Sequence, residues 1–281
     1  MIVVTGATGN VGRPLVSLLV AAGEQVTAVS RQVPDGGFPE GVAHLAADLA
    51  DFSSLLPALE GADALFLLLA GDLNGPGAPA AELLEQVKAA GVERVVMLSS
   101  QINGTRPEAA SHFRLREFEA ALRNSGLAYT VLQAGGFASN TYAWAEGVRG
   151  QRTVHAPFAD VALPVVDPAD LAAVAAVALR EDGHREQVYV LTGPEAITPR
   201  QQAAVLGEVV GAEVAFVELT REQARAHLAR FVPAEVLDGT LDILGSPLPA
   251  EQRVSPDVER VLGRPARSYA DWARAAAPAF R

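Results

Sequence analysis

The chain has 281 residues, 49% of them hydrophobic and 20% charged, with no cysteine and a formal net charge of -11 at pH 7. A chain of this length buries roughly three-quarters of its unfolded surface and needs no staples, and the missing cysteine excludes disulfides, a thiolate nucleophile and cysteine zinc sites. The acidic balance disfavours nucleic acid, no apolar run approaches the roughly 20 residues of a membrane helix, and MIVVTGATGN is not a secretory signal, so a cytoplasmic protein without nucleic-acid or membrane partners is expected.

Short apolar runs alternate with helical patterns through the first half, the signature of βαβ units in a parallel sheet. Strands are expected over 2–5, 25–30, 43–46, 64–69, 94–98 and 128–132, and helices over 11–22, 51–59, 78–90 and 108–125. Gly23, Gly91 and Gly126 stand where three of these helices stop. Past Phe137 the rhythm loosens. Residues 153–160 read as turn-rich and 163–166 as a strand, after which Asp167 and Pro168 fit the N-cap and first position of an alanine-rich helix. Strands follow over 187–191 and 214–218, separated by a helix begun at Thr198-Pro199, and the remainder reads as mostly helical. The expected fold is α/β: a Rossmann-like doubly wound parallel sheet with a smaller C-terminal α/β substrate lobe. The dinucleotide-binding core is expected over 1–137 and the lobe over 138–281, with some segments returning to the core.

Gly6-Ala7-Thr8-Gly9-Asn10-Val11-Gly12 follows the first strand directly and opens a helix, with Pro14 tolerated in its first turn. Glycines permit the tight turn and let the backbone approach a pyrophosphate, while unpaired amides and the positive helix end attract its charge. The second strand ends at Ser30-Arg31, where a dinucleotide fold places the adenosine ribose. An acidic residue there would favour NAD; a hydroxyl and a planar guanidinium suit a 2′-phosphate, so NADPH is the expected cofactor. The competing reading of Arg31 is a solvated loop residue. Asp48, after the third strand, is placed either to accept from the adenine amino group or to cap the following helix.

These stretches, with GVERVVMLSS, FEAALRNSGLAYTVLQAGGF and the terminal RVLGRPARSYADWARAAAPAF, resemble the NmrA-like branch of atypical short-chain dehydrogenase/reductases, which includes quinone oxidoreductases and triphenylmethane reductases. The resemblance implies cofactor contacts from Gly6, Thr8, Gly9, Asn10 and Val11, from Arg31 and Asp48, and from Leu68, Leu69 and Ala70. It also implies that Ser99 and the stretch containing Gln133, Ala134, Gly135 and Phe137 flank the nicotinamide; relatives commonly read Arg-Pro where this chain has Gln133-Ala134. Most short-chain dehydrogenases protonate the nascent alkoxide with a tyrosine tuned by a lysine four residues later. Here the lone lysine, Lys88, precedes the fifth strand, and none of Tyr129, Tyr142, Tyr189 and Tyr269 has such a partner. Aligned through SGLAYT, the family's tyrosine and lysine positions hold Leu115 and Glu119.

Three side chains are candidates for managing the developing charge. Ser99 and Ser100 end the fifth strand at the sheet's carboxyl edge, placed to hydrogen-bond a carbonyl oxygen or simply to cap the chain. His112, with an ordinary pKa near ~6.5, suits proton transfer near neutral pH, against the reading of an exposed residue at a helix start. Glu119 is a poor acid unless buried, and most helix glutamates are not. Asn140, Tyr142 and Trp144 are placed either to wall a substrate pocket or, for the aromatics, to anchor a core. No metal is expected. The favoured function is an NADPH-dependent reductase of a conjugated or aromatic ketone or quinone, polyketide types included; the alternative is an NADP(H)-binding redox sensor with little turnover. The sequence sets no oligomeric state.

Overall fold

The computed structural model describes residues 1–48, 51–69, 77–229 and 234–281. The first strand, β1 (Ile2–Thr5), leads through the glycine loop into α1 (Gly12–Ala21), followed by β2 (Val26–Ser30) and β3 (Ala43–Ala46). A 3-10 turn (Phe52–Leu55) and α2 (Leu56–Leu59) precede β4 (Ala64–Leu68); α3 (Ala80–Ala89) precedes β5 (Arg94–Ser100). Next come α4 (Ile102–Thr105), a 3-10 turn (Ala110–His112), α5 (Phe113–Asn124) and β6 (Ala128–Ala134). A 3-10 segment (Ala138–Trp144) leads into α6 (Ala145–Gln151), β7 (Thr153–Pro157), α7 (Pro168–Arg180) and β8 (Gln187–Leu191). The chain continues through α8 (Pro199–Val210), β9 (Ala215–Leu219), α9 (Arg221–Leu228), α10 (Ala234–Gly245), α11 (Asp257–Leu262) and α12 (Tyr269–Ala276).

The main sheet is parallel, in the order β3-β2-β1-β4-β5-β6-β8. Its strand order reverses between β1 and β4, the crevice where open α/β sheets bind ligands. The strands read as apolar runs because both faces are covered. Val4, Phe66, Val96, Leu98 and Leu132 pack against α1 and α7 on one face, whereas Val3, Leu65, Leu67, Met97 and Val131 pack against α3 and α5 on the other. Each such side chain removed from water contributes roughly 1.5–3 kcal/mol. The expected glycine stops at Gly23, Gly91 and Gly126 take φ of +83°, +90° and +78°. Asp167 caps α7 by accepting from the Ala169 N–H, with Pro168 at the first helical position. Thr198 and Gln201 form a reciprocal capping box at α8.

Beyond residue 138, α7 and β8 return to the main sheet, while β7 and β9 pair in a separate two-stranded sheet with α6, α8 and α12 packed around it. Residues 153–157 are therefore a strand, not turns: Val154 and Ala156 are buried and His155 is exposed. That period of two is obscured in the sequence by His155 and Pro157, and proline is tolerated at the end of an edge strand. The strand expected over 163–166 is reduced to isolated bridges, Leu163 with Ile197 and Phe137 with Val166, and Pro164 has no N–H to donate to a ladder. Both β5 and β6 run two residues beyond their expected ends, to Ser100 and Ala134. No helix among the described residues is long and apolar enough to cross a membrane.

Candidate cofactor and active site

At the switch point, the Thr5 hydroxyl donates to the Phe66 carbonyl at 3.0 Å and accepts from the Leu68 N–H at 2.9 Å, fixing the end of β4 beside the glycine loop. Gly6 has φ +64°, and a Cβ there would stand 3.0 Å from Leu68 Cδ2. A Cβ on Gly12 would lie 2.2 Å from the Gly6 carbonyl oxygen, so only glycine lets α1 start this close to the turn. The Gly9 N–H donates to Gly6 O at 3.0 Å, whereas the amides of Thr8, Asn10 and Val11 have no protein acceptor among the described residues. The N-cap of α1, Val11, supplies no side-chain cap. A helix start with bare amides and a cradle that side chains would fill fits a pyrophosphate. Thr5, missed in the sequence, is visible only once β1 and β4 are known to be neighbours.

Arg31 emerges exposed from β2 and makes no ion pair with the described residues. Ser30 does not share its freedom: its hydroxyl donates to the Gln32 carbonyl at 2.7 Å and lies 3.0 Å from His44 Nε2, and the His44 ring stacks on Phe38. Of the expected serine–arginine pairing for a 2′-phosphate, only the arginine is unengaged. Asp48 is exposed, and the cap of the following turn is Asp51, whose carboxylate accepts from the Ser53 N–H at 3.0 Å. Leu68 is half-buried and Leu69 buried, while Ala70 lies outside the described residues.

The carboxyl edge of β5 and β6 holds a buried polar cluster. In register, Ser99 pairs with Gln133, so both side chains point to the α5 face, where Glu119 meets them. The Ser99 hydroxyl donates to Glu119 Oε1 at 2.5 Å; Asn103 Nδ2 donates to the same oxygen at 2.7 Å and to Ser99 Oγ at 3.0 Å. Gln133 Nε2 reaches Oε1 and Oε2 at 3.2 and 3.1 Å, and Arg123 donates to Oε2 at 3.0 Å. Every contact is accepted by Glu119, the pattern of an acceptor-only carboxylate. Glu119 is only 6% exposed, so the expectation of a solvated helix glutamate is wrong. Its signal was in the sequence: Leu115, Phe118 and Leu122 place it within the apolar stripe of α5. Polar Ser99 and Gln133 are also why β5 and β6 outrun their apolar patterns. Asn103 Oδ1 is buried and has no partner among the described residues.

Ser100 points to the opposite face, and its oxygen accepts from the Ile102 N–H at 3.2 Å. That bond is the capping role, yet among the described residues the Ser100 hydroxyl proton has no acceptor. The loop after β6 is held by backbone bonds, Gly135 N–H to Leu191 O at 2.9 Å, Val166 N–H to Gly136 O at 2.8 Å and Gln101 N–H to Ala134 O at 3.0 Å. Ala134 and Gly135 are buried and Phe137 is half-buried. The segment after α4 is tied across to the C-terminal half: Arg106 donates to both oxygens of fully buried Glu251 at 2.7 and 2.9 Å, and Thr105 donates to it at 2.8 Å.

His112 does not have the ordinary imidazole pKa. Burial, reinforced by the Arg116 charge, pushes it down to about 4, and its Nδ1 lies 2.8 Å from Ser111 Oγ. At neutral pH only about one His112 in a thousand carries the proton an acid must donate. Asn140 is exposed in the 3-10 segment after Phe137. Tyr142 is 40% exposed and stacks on Phe280 at 5.9 Å, with Trp272 edge-on at 5.3 Å, so the aromatic is at once a core anchor and an open surface. Trp144 packs against the apolar cluster formed around the two-stranded sheet by α6, α8 and α12. Tyr269 donates to Thr141 Oγ1, and burial raises its pKa. Lys88 Nζ donates to the Ser125 carbonyl past the end of α5.

The glycine-loop cradle at the switch point fits a dinucleotide, and the chain belongs to the NAD(P)H-binding family, whose pattern matches residues 6–182; its relatives make it an NAD(P)H-dependent oxidoreductase. The chain is 38% identical to the (4-alkanoyl-5-oxo-2,5-dihydrofuran-3-yl)methyl phosphate reductase of Streptomyces griseus, covering 100% of this chain and 99% of that one. It is 33% identical to the NAD(P)H azoreductase of Xenophilus azovorans, again over 100% and 99%. Among solved structures, the NADPH-dependent quinone oxidoreductase of Escherichia coli in complex with NADPH matches with a TM-score of 0.80 and 27% identity, over 98% of this chain and 99% of that one.

Proposed function

We propose that the protein is an NADPH-dependent reductase of a conjugated small molecule, a ketone or quinone whose π-system spreads the charge of the transition state. When bound, NADPH supplies the hydride. The amides of Thr8, Asn10 and Val11 hold its pyrophosphate, Arg31 its 2′-phosphate, and the backbone at Leu68, Leu69 and 134–137 lines its path along the sheet edge. The core over 1–137 holds the dinucleotide, and the lobe over 138–281 presents Asn140, Tyr142 and Trp144 to the substrate. Tyr142 offers an aromatic surface to a flat ring.

The observation that carries this reading is the commitment of the acids. Ser99 gives its proton to Glu119, Lys88 binds Ser125 on a different element, and His112 is neutral. Among the described residues no strong acid faces the edge, which suits an acceptor that needs none, as a conjugated system does; the Ser100 hydroxyl polarises its oxygen and water supplies the proton. The reductase names of the relatives at 38% and 33% identity support the same class. The test is consumption of NADPH with a panel of quinones and aromatic ketones. Turnover with at least one member is expected; NADPH binding without oxidation by any would overturn it.

A further inference from the structure

The resemblance aligns Glu119 with the family's lysine, and the structure buries this carboxylate at the strand edge. Its two oxygens are not equivalent. Oε2 shares Gln133 with Oε1 and is the one that Arg123 reaches, a side chain 42% exposed and therefore screened by solvent. Oε1 faces the strand edge, where its partners Ser99, Asn103 and Gln133 are neutral, and all three are buried. Neutral dipoles hold a carboxylate without cancelling its charge, and burial carries its field farther than water would. In a doubly wound sheet with the pyrophosphate at the β1 loop and the adenosine half over β2 and β3, the other mononucleotide half lies over the carboxyl ends of β4, β5 and β6. Ser99 and Gln133 end two of those strands. The Glu119 charge thus lies beneath the half of the site that receives the nicotinamide, a ring that is neutral when reduced and positively charged when oxidised.

We propose that Glu119 is a positioning residue that sets the redox preference of the bound dinucleotide: its edge-facing oxygen stabilises the positive oxidised ring over the neutral reduced one, favouring hydride release, while Arg123 moderates that charge. The inference rests on the NADPH-reductase reading. A site that binds the oxidised form relatively more tightly makes the bound reduced form a stronger donor, because a ligand state is favoured only through differential binding. A purely structural Glu119 would affect both nucleotides alike.

The test is a fluorescence titration of the full chain with NADP⁺ and with NADPH, taking the ratio of the two dissociation constants. In Glu119→Gln, which keeps the shape and removes the charge, NADP⁺ should weaken relative to NADPH by about tenfold, the effect of a unit charge acting across roughly 10 Å of partly buried protein. In Arg123→Gln, which removes an exposed counter-charge, the ratio should move the other way, by about threefold. Opposite signs are the mark of a field. A ratio unchanged within about twofold in both variants, or shifted in the same direction in both, overturns the proposal. Should Glu119→Gln fail to fold, the sign in Arg123→Gln decides alone. Wild-type protein that binds neither nucleotide removes the reductase reading together with this one, whereas normal wild-type binding with unmoved ratios removes this one only.

Discussion

The Ser99 hydroxyl lies 2.5 Å from Glu119 Oε1 and donates its proton to it, away from the cleft edge it terminates. Two adjacent serines thereby take different roles. Ser99 is committed to the buried Glu119, whereas Ser100, on the opposite face, donates its proton to none of the described residues. Ser100→Ala should lower kcat/KM by about 10²-fold with nucleotide affinity kept. Ser99→Ala should instead cost about 1–3 kcal/mol of stability, by leaving a buried carboxylate short of a donor. Steady-state kinetics beside thermal melts separate the two; equal kinetic losses would contradict the assignment.

The lone lysine gives the next check. Because Lys88 Nζ is bonded to the Ser125 carbonyl, Lys88→Met should change kcat by less than about twofold and stability by under about 1 kcal/mol, the worth of an exposed hydrogen bond. A large kinetic loss in the rate assay would restore a lysine-tuned acid.

For His112 the prediction is one of pH. Its folded pKa of about 4 lies below the ordinary value near ~6.5, so between those values the unfolded chain binds a proton that the folded chain refuses. Stability therefore falls as pH drops through that window. Between pH 7 and 5 His112 alone should remove about 2 kcal/mol. Melts of His112→Gln should show correspondingly less acid sensitivity than wild type, and kcat/KM should carry no inflection near pH ~6.5. Parallel pH dependence of the two melts would show that His112 titrates normally.

In the proposed site, cofactor choice rests on Arg31. Its replacement by alanine should weaken NADPH by about 10–100-fold, the loss of a charge-assisted fork, and leave NADH within about twofold. Direct binding titrations of both nucleotides decide this, and equal weakening would place the 2′-phosphate elsewhere.

What the sequence made legible follows from local rules. The glycine loop and α1 stood out because an apolar strand, a glycine turn and a helix start occur in order, and Asp167-Pro168 and Thr198-Pro199 announced their helices by cap chemistry. The end of β6 did not stand out, since Gln133 interrupts an apolar run to serve a buried acid. Glu119 was hidden by residue type, although its neighbours Leu115, Phe118 and Leu122 already placed it on a buried face. The Thr5 clamp on Phe66 and Leu68 and the Arg106–Glu251 tie join residues far apart in the chain, which no window of sequence contains.

On the proposed function, the site reduces acceptors that need no strong protein acid. The most direct measurement compares NADPH oxidation by the wild-type protein with conjugated ketones or quinones and with saturated ketones of matched size. Conjugated acceptors should be faster by at least about 10²-fold, equivalent to roughly 3 kcal/mol of transition-state charge left unsupported by a protein acid. Equal rates for the two classes, or tight NADPH binding with oxidation by neither, would contradict it.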